Sequence, residues 1–424
     1  MIDIGKLYCG GTSTGDGLRY GTKSEADCHG NKPHQIVTLA SERKPIVVWS
    51  TSRTCNLRCV HCYTDSDNKI YSGELTTKEG FNLIDQLADF NIPSLLFSGG
   101  EPLMRHDIFS LIEYAAKKNI RPVISTNGTL IGAQTARDIK NAGVVYVGIS
   151  LDGMEEVNDK FRGVEGAYKK AMAGFENCRN ADQRVGLRLT LTKQNYSDLN
   201  RIFDFIERED INRACFYHLV YSGRGKDMFK DDLTYHESRD AMDIIMARTK
   251  DYFDRGKDIN ILTVDNHVDG VYMYLKLKEE NPEQAEEVYR LLSWNGGGAH
   301  STGVGIGNID FNGNVHPDQF WQDYSLGNIR ERKFGDIWFD ESEPLMKGLK
   351  HKADFIKGRC RVCKYRELCT GAMRVRGYRT YDDPWAPDPA CYLTDEEIGL
   401  DTDTKAELKA AGEHFEQPKE LLAI

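Results

Sequence analysis

Apolar residues in this chain come in short runs that alternate with amphipathic stretches. The run Pro45-Ile46-Val47-Val48-Trp49, within 44–50, reads as a buried strand. Thr76 and Glu79 form a capping-box signal, and Phe81, Ile84, Leu87 and Ala88 recur on one face of the helix that follows. A second strand over 94–98 ends in Gly99-Gly100-Glu101-Pro102. A helix over 108–118 leads to a third strand at 122–126, which ends in Asn127-Gly128. The segment 145–150 ends in Leu151-Asp152-Gly153, and 185–192 and 214–220 supply two further strands. Strand and helix alternate at the spacing of βα units, which predicts an α/β fold with a parallel sheet. Polar and glycine-rich residues fall at the C-terminal ends of the strands, where barrel-like folds place their chemistry.

The pattern divides the chain in order. Residues 1–43 read as an irregular N-terminal extension, and 44–265 as a partial barrel of six strands. A helical bridge follows over 266–298, including 279–292, then a small C-terminal domain over 299–395 and a charged helical tail over 396–424. Residues 301–315 read as a hairpin with Asn312-Gly313 at its turn.

Composition narrows the classes. At 424 residues the chain can bury two cores. No apolar stretch approaches the roughly 18 residues a membrane span requires, and the opening Met1-Ile2-Asp3-Ile4-Gly5-Lys6 lacks the apolar core of a signal peptide. A net charge of −10, with no basic block interleaved with aromatics, argues against a nucleic-acid partner. Eleven cysteines, seven of them in cluster spacing, point to a reducing cytoplasm rather than a disulfide framework. Of the other four, Cys178 and Cys215 lie in apolar surroundings and read as buried thiols, and Cys9 and Cys28 flank a glycine-rich stretch.

Cys55, Cys59 and Cys62 fall within eight residues. Three thiolates on one tight loop can hold three irons of a 4Fe–4S cluster and leave the fourth open to a ligand that is not protein. Zinc is the alternative occupant, but it normally takes four protein ligands. The C-x₃-C-x₂-C spacing resembles the signature of radical S-adenosylmethionine (SAM) enzymes. The resemblance implies that SAM occupies the open iron through its amino and carboxylate groups, and that an electron from the cluster releases a 5′-deoxyadenosyl radical. It also implies a fold, the partial (β/α)₆ radical SAM barrel. Gly99-Gly100-Glu101 resembles the family's second-strand motif, whose bare backbone pairs with the methionyl amino group. Thr126, Asn127, Ser150 and Asp152 resemble its strand-end contacts to the ribose and methionine of SAM. Arg188 and Thr190 on the fifth strand are its candidate partners for the SAM carboxylate, since a guanidinium binds carboxylate bidentately. His61 is placed near the adenine. Each of these also fits an ordinary cap, turn or loop role.

Downstream, Cys360, Cys363, Cys369 and Cys391 form C-x₂-C-x₅-C and a distant fourth cysteine. The arrangement resembles the auxiliary-cluster domain called SPASM, or its shortened Twitch form. Four thiolates close every iron, so this second 4Fe–4S cluster is expected to carry electrons or position substrate; a four-cysteine site also suits zinc. Met373 stands where the full pattern has a further cysteine, and Asn308 stands five residues after Gly303 where it has another. Both departures remove ligands of an additional cluster, so two clusters are expected in total.

Longer blocks resemble the haem-biosynthesis branch of the same family, the 12,18-didecarboxysirohaem deacetylases. They are KLYCG at 6–10, LRYG at 18–21, FYHLVYSGRG at 216–225, TVDNH at 263–267, VHPDQFW at 315–321 and WAPDPACY at 385–392. The resemblance implies an iron tetrapyrrole substrate, 12,18-didecarboxysirohaem, from which two acetates are removed to give Fe-coproporphyrin III. It also implies a low-potential electron donor such as flavodoxin or ferredoxin. The substrate's carboxylates need cationic partners, with Arg224 first and Arg53 and Arg58 after it. His218, His267 and His316 are candidates for its iron, because imidazole suits that metal. Removal of propionates in haem d1 synthesis is the near variant. A peptide-modifying SPASM enzyme would need a peptide-binding module, and 1–43 offers no helix-rich one. A bare electron-transfer protein would leave Gly99-Gly100-Glu101, Ser150 and Asp152 without a purpose.

Overall fold

The computed structural model describes residues 1–12, 19–20 and 43–422. Its strands in chain order are β1 (Ile2–Asp3), β2 (Ile46–Ser50), β3 (Ser94–Ser98), β4 (Arg121–Thr126), β5 (Tyr146–Ser150), β6 (Val185–Leu191), β7 (Arg213–His218), β8 (Asn260–Val264), β9 (Ile306–Ile309), β10 (Asn314–His316) and β11 (Gly327–Asn328). The chain forms two compact units. One comprises Lys44–Asp232 and Thr302–Leu349, the other Met1–Arg43, Leu233–Ser301 and Lys350–Ile424.

In the first unit β2 to β7 run parallel in sequential order, β2 against β3, β3 against β4 and so on to β6 against β7. Each strand carries apolar residues that are buried, while β4 and β6 alternate them with half-buried positions. Val47, Val48, Trp49, Leu95, Phe97, Ile124 and Val147 are all buried, and the Trp49 and Phe97 rings lie 5.9 Å apart. The far edge of β2 takes β9, again parallel, with Ile46 opposite Ile306; the six strands therefore form a partial barrel. The expected capping box is present, Thr76 accepting from the Glu79 N–H and Glu79 returning to the Thr76 backbone. The helix it starts, Thr77–Asp89, buries Leu83, Ile84 and Leu87, while Phe81 and Ala88 are only half-buried. The hairpin around Asn312-Gly313 is β9 and β10, paired antiparallel. Sequence order places it with the downstream cysteines, whereas it packs in the unit of the parallel sheet, because β9 continues that sheet beyond β2.

The second unit begins at the N-terminus. The opening residues are not irregular: β1 pairs antiparallel with β8, Ile2 opposite Thr263, and helix Ile4–Cys9 follows. The cause is local. Ile2, Ile4 and Leu7 are buried, Asp3 caps the helix by accepting from the Lys6 N–H, and Arg19 and Asn260 both bond the Asp3 carboxylate. The block at 18–21 lies outside the described residues except for Arg19 and Tyr20, and Cys28 lies outside them altogether. The helical stretch expected over 266–298 is two helices, Val268–Glu280 and Pro282–Asn295. Pro282 cannot continue a helix but suits the first turn of the next. Short helices Gly358–Val362, Arg366–Cys369 and Arg374–Tyr381 then carry the downstream cysteines or flank them.

This unit is stapled by a charged pair with no solvent access. Arg376 Nε and Nη2 donate to the two oxygens of Asp388, each at 2.8 Å, with side chains 0% and 1% exposed. Arg376 Nη2 also reaches the Asp265 carbonyl, and Asp388 accepts from the N–H groups of Met373 and Ala390. Breaking a buried pair leaves an uncompensated charge, so Arg376→Met should destabilise this unit by about 3–5 kcal/mol. Hydrogen exchange at residues 373–392 measures the loss, and unchanged protection there would show that the pair is dispensable.

Candidate active site

The cysteine loop follows β2 and is held by backbone bonds from three other segments. From the end of β3, the Gly100 N–H donates to the Ser52 carbonyl at 2.7 Å and the Glu101 N–H to Thr54 at 2.9 Å. At the end of helix Glu155–Arg162, the carbonyls of Phe161 and Arg162 accept from the N–H groups of Val60 and Arg58. From the loop after β7, the Arg224 N–H donates to the Cys62 carbonyl at 2.9 Å. Gly99 and Gly100 also lie against the cysteine loop. A Cβ on Gly99 would lie 2.4 Å from the Ser52 carbonyl oxygen and one on Gly100 2.3 Å from that of Thr54, so their bareness admits the cysteine loop itself.

The three thiols suit a cluster in their donors and their surroundings. Backbone N–H groups are aimed at two sulfurs, Leu57 at Cys55 Sγ (3.4 Å) and Ser66 at Cys62 Sγ (3.5 Å). Burial pushes the Cys55 thiol up to about 12 and raises that of Cys59, a cost that metal binding removes by taking the thiolate.

Around them stand the expected SAM residues. Glu101 is fully buried and accepts from Thr126 Oγ1 (2.7 Å), the Asn127 N–H (2.8 Å) and the Leu103 N–H (3.1 Å), tying the ends of β3 and β4 together. Asn127 continues the chain of bonds to Asn56 Oδ1 (2.9 Å) inside the cysteine loop. Asp152 sits 1% exposed after β5. Its Oδ1 accepts from the Thr190 N–H, while its Oδ2 ion-pairs with Arg162 and lies 3.5 Å from His61 Nε2. Burial brings the His61 imidazole down to about 4 despite Asp152, so it is neutral at pH 7, packed 4.9 Å from the Phe161 ring. Arg188 bonds Ser125 Oγ and lies over the Tyr217 ring, and Ser150 pairs with Arg188 in the β5–β6 register. The sequence reading missed Arg162, whose Nη1 donates to Cys59 Sγ at 3.6 Å. No motif marks it, since it is the last residue of an otherwise ordinary amphipathic helix.

The candidate substrate residues fare unequally. Arg224 is largely committed to the cysteine loop, with Nε donating to the Cys59 carbonyl (2.9 Å) and Nη1 to Asp65 (2.9 Å) and the Ser66 carbonyl (2.6 Å); only Nη2 has no partner among the described residues. Arg53 pairs with Asp65 at 3.1 Å, and Arg58 is exposed. His316 is engaged on both sides, Nδ1 at 2.8 Å from the Tyr324 carbonyl and Nε2 at 3.4 Å from Asp310. His218 is buried at the end of β7. His267 belongs to the other unit, where burial holds its imidazole far below the ordinary range.

In that second unit Cys360, Cys363, Cys369 and Cys391 line one pocket with Arg359 and Arg366. Burial raises all four thiols, and Arg359 opposes that rise at Cys391. The Tyr365 N–H donates to Cys363 Sγ at 3.3 Å. Among the described residues no three metal-ligating side chains converge tightly enough to enclose a single ion. Asn308 has other work, its Nδ2 donating to the Val48 carbonyl at 2.9 Å, and the Met373 side chain is buried. Cys178 and Cys215 are buried, as expected, and no described helix is long and apolar enough to cross a membrane.

Burial raises Glu101 from 4.5 to about 7 against its three hydrogen bonds. Its folded value lies above its unfolded one, so the stability it contributes is complete below about pH 4.5 and fades as the pH climbs through about 7. Urea unfolding of the metal-free chain should show this decline. Glu101→Gln should flatten it while costing about 1–3 kcal/mol, because its amide turns an N–H towards a donor. A decline of equal slope in the variant would assign the titration to another group.

Comparison with known proteins agrees with this geometry. Residues 49–206 match the Radical SAM superfamily and residues 305–364 the SPASM iron–sulfur cluster-binding domain. The chain is 51% identical to an Fe-coproporphyrin III synthase of Methanosarcina barkeri, over 94% of this chain and 99% of that protein. It is 38% identical to a pre-heme d1 synthase of Dinoroseobacter shibae, over 85% and 89%. The fold is shared with anSMEcpe solved with bound AdoMet (TM-score 0.65, 19% identity, 87% of this chain and 99% of that one). It is shared also with Streptococcus suis SuiB bound to its precursor peptide (0.64, 20%, 83% and 77%). Cysteine loop, strand-end polar residues and near full-length identity converge: this chain belongs to the radical SAM/SPASM family.

Proposed function

We propose that this chain is a tetrapyrrole side-chain lyase that removes two acetates from 12,18-didecarboxysirohaem to give Fe-coproporphyrin III. The observation that carries the reading is the 51% identity to the Methanosarcina barkeri Fe-coproporphyrin III synthase, sustained over 94% of this chain. SAM, bound at a 4Fe–4S cluster held by Cys55, Cys59 and Cys62, supplies a 5′-deoxyadenosyl radical. Gly99, Gly100, Glu101, Thr126, Asn127, Ser150, Asp152, Arg188, Thr190 and His61 shape the SAM side of the site. For each acetate, the hydrogen atom of the neighbouring ring carbon passes to 5′-deoxyadenosine, the bond to the acetate carbon breaks to release a carboxymethyl radical, and a ring double bond forms. Each acetate therefore takes two electrons, one to cleave SAM and one that, with a proton, turns the fragment into acetic acid, so the reaction draws on a low-potential one-electron donor of the flavodoxin or ferredoxin class. Seven cluster thiols also require a reducing compartment such as the cytoplasm.

The committed bonds of Arg224 and His316 redistribute the substrate roles. Arg224 keeps Nη2 for a substrate carboxylate, but its alanine variant also removes three bonds to the cysteine loop, so SAM cleavage should fall together with substrate turnover. The three histidines stay candidates for the substrate iron; Nδ1 of His316 is taken by the Tyr324 carbonyl, while Nδ1 of His267 has no hydrogen-bond partner among the described residues.

Two measurements test the reading. Anaerobic incubation of the reduced enzyme with SAM and 12,18-didecarboxysirohaem should give a mass loss of two acetic acids and a porphyrin absorbance spectrum. Loss of propionates with the acetates retained would assign it to the chemistry of the pre-heme d1 synthases instead. The reconstituted protein should hold about eight irons, and the Cys55/Cys59/Cys62 triple alanine variant about four. Twelve irons in the unaltered protein would show that Met373 and Asn308 did not cost it a cluster.

A further inference from the structure

Among the described residues, Arg162 is a buried cation whose side chain reaches the sulfur of Cys59 in the first cluster site. It ends helix Glu155–Arg162, whose termination is enforced at Gly163. That residue has φ +70°, and a Cβ there would lie 2.5 Å from the Arg58 carbonyl oxygen, so the helix end is pressed directly onto the cysteine loop. The side chain is 8% exposed. Nη2 pairs with Asp152, itself 1% exposed, Nη1 donates to Cys59 Sγ at 3.6 Å, and Nε has no partner among the described residues. Asp152 is in turn fixed by the Thr190 N–H on its Oδ1 (2.8 Å) and by Asn158 and Asn195 on its backbone (both 3.0 Å). A buried guanidinium is expensive unless paired, and this one is aimed at a sulfur rather than at a second carboxylate.

We propose that Arg162 is a positioning residue that tunes the reducing cluster, its N–H···S bond and positive charge at Cys59 favouring the one-electron-reduced form. The physical basis is that hydrogen bonds to the sulfurs and nearby charge set iron–sulfur potentials. Reduction adds one negative charge, supplied by an external low-potential one-electron donor, and a low-dielectric interior transmits the opposing charge of Arg162 with little screening. Asp152 acts on the same quantity in the opposite sense, since it holds Arg162 in place while cancelling part of its field. The inference concerns electron entry alone and is independent of which tetrapyrrole side chain is removed.

The test is an EPR-monitored redox titration of the full-length, fully reconstituted protein without SAM or tetrapyrrole. The first cluster is identified by the change in its signal when SAM is added afterwards, and the auxiliary cluster serves as internal reference. Arg162→Gln should move the midpoint potential of the first cluster to more negative values, and Arg162→Lys should move it less, because the charge survives without the planar fork. Asp152→Asn should move it the other way, to less negative values. The auxiliary midpoint should not move in any of the three. An unchanged first-cluster midpoint in Arg162→Gln with its irons retained would overturn the proposal, as would equal shifts at both clusters or shifts of one sign in all three variants. If Arg162→Gln fails to hold the first cluster, the Asp152→Asn midpoint decides alone, and no positive shift there overturns the proposal.

Discussion

The chemistry of this protein depends on holding a short, cysteine-bearing loop still without using the cysteines to do it. Three thiols that must face a common point repel one another once ionised, and a loop has no ladder of its own to resist. Here the restraint comes from backbone bonds out of three separate βα segments: Gly100 and Glu101 after β3, the end of helix Glu155–Arg162 after β5, and Arg224 after β7. Each contact demands close approach of main chain to main chain, so glycine recurs where it occurs, at Gly99, Gly100 and Gly163. The strands β2 to β7 that deliver these segments run parallel, which gathers their C-terminal ends on one side. Fold and site are thus consequences of the same alternation of apolar runs and amphipathic helices.

A second constraint governs the buried polar residues of each unit. Glu101, Asp152, Arg162, Arg376 and Asp388 are all buried, and each is held by several bonds. Networks of this kind hold their members to one geometry, because every lost partner strands a donor or acceptor away from water. The first unit uses them to fix strand ends beside Cys55 and Cys59. The second uses Arg376 and Asp388 to pin the segment between Met373 and Cys391.

Much of this was legible in the sequence, for identifiable reasons. The strands β2 to β7 were readable because runs such as 94–98 are short, apolar and closed by glycine or asparagine, and the helix at 77–89 because its capping box is local. The seven cysteines stood out because they fall in cluster spacing, a signal that spacing alone carries. Three things were not. The N-terminal strand β1 is two residues long, too short to show a period, and exists only because β8, some 260 residues away in sequence, offers an edge. The break at Pro282 divides a helical stretch whose composition is uniform on both sides. Arg162 and the commitments of Arg224 and His316 are tertiary facts: a guanidinium or imidazole looks the same in sequence whether it faces a ligand, a carbonyl or a sulfur. At Gly99 and Gly100 the sequence shows that something approaches closely but not that the cysteine loop is part of it.

The central claim is that a radical generated beside the cysteine loop takes hydrogen from the ring periphery of an iron tetrapyrrole. Its most direct test is a single incubation of the reduced enzyme with SAM and 12,18-didecarboxysirohaem carrying deuterium at the saturated ring carbons, followed by mass spectrometry of the 5′-deoxyadenosine formed. The account predicts deuterium in the 5′-deoxyadenosine in step with release of acetic acid. Unlabelled 5′-deoxyadenosine accompanying full release of acetic acid would contradict it.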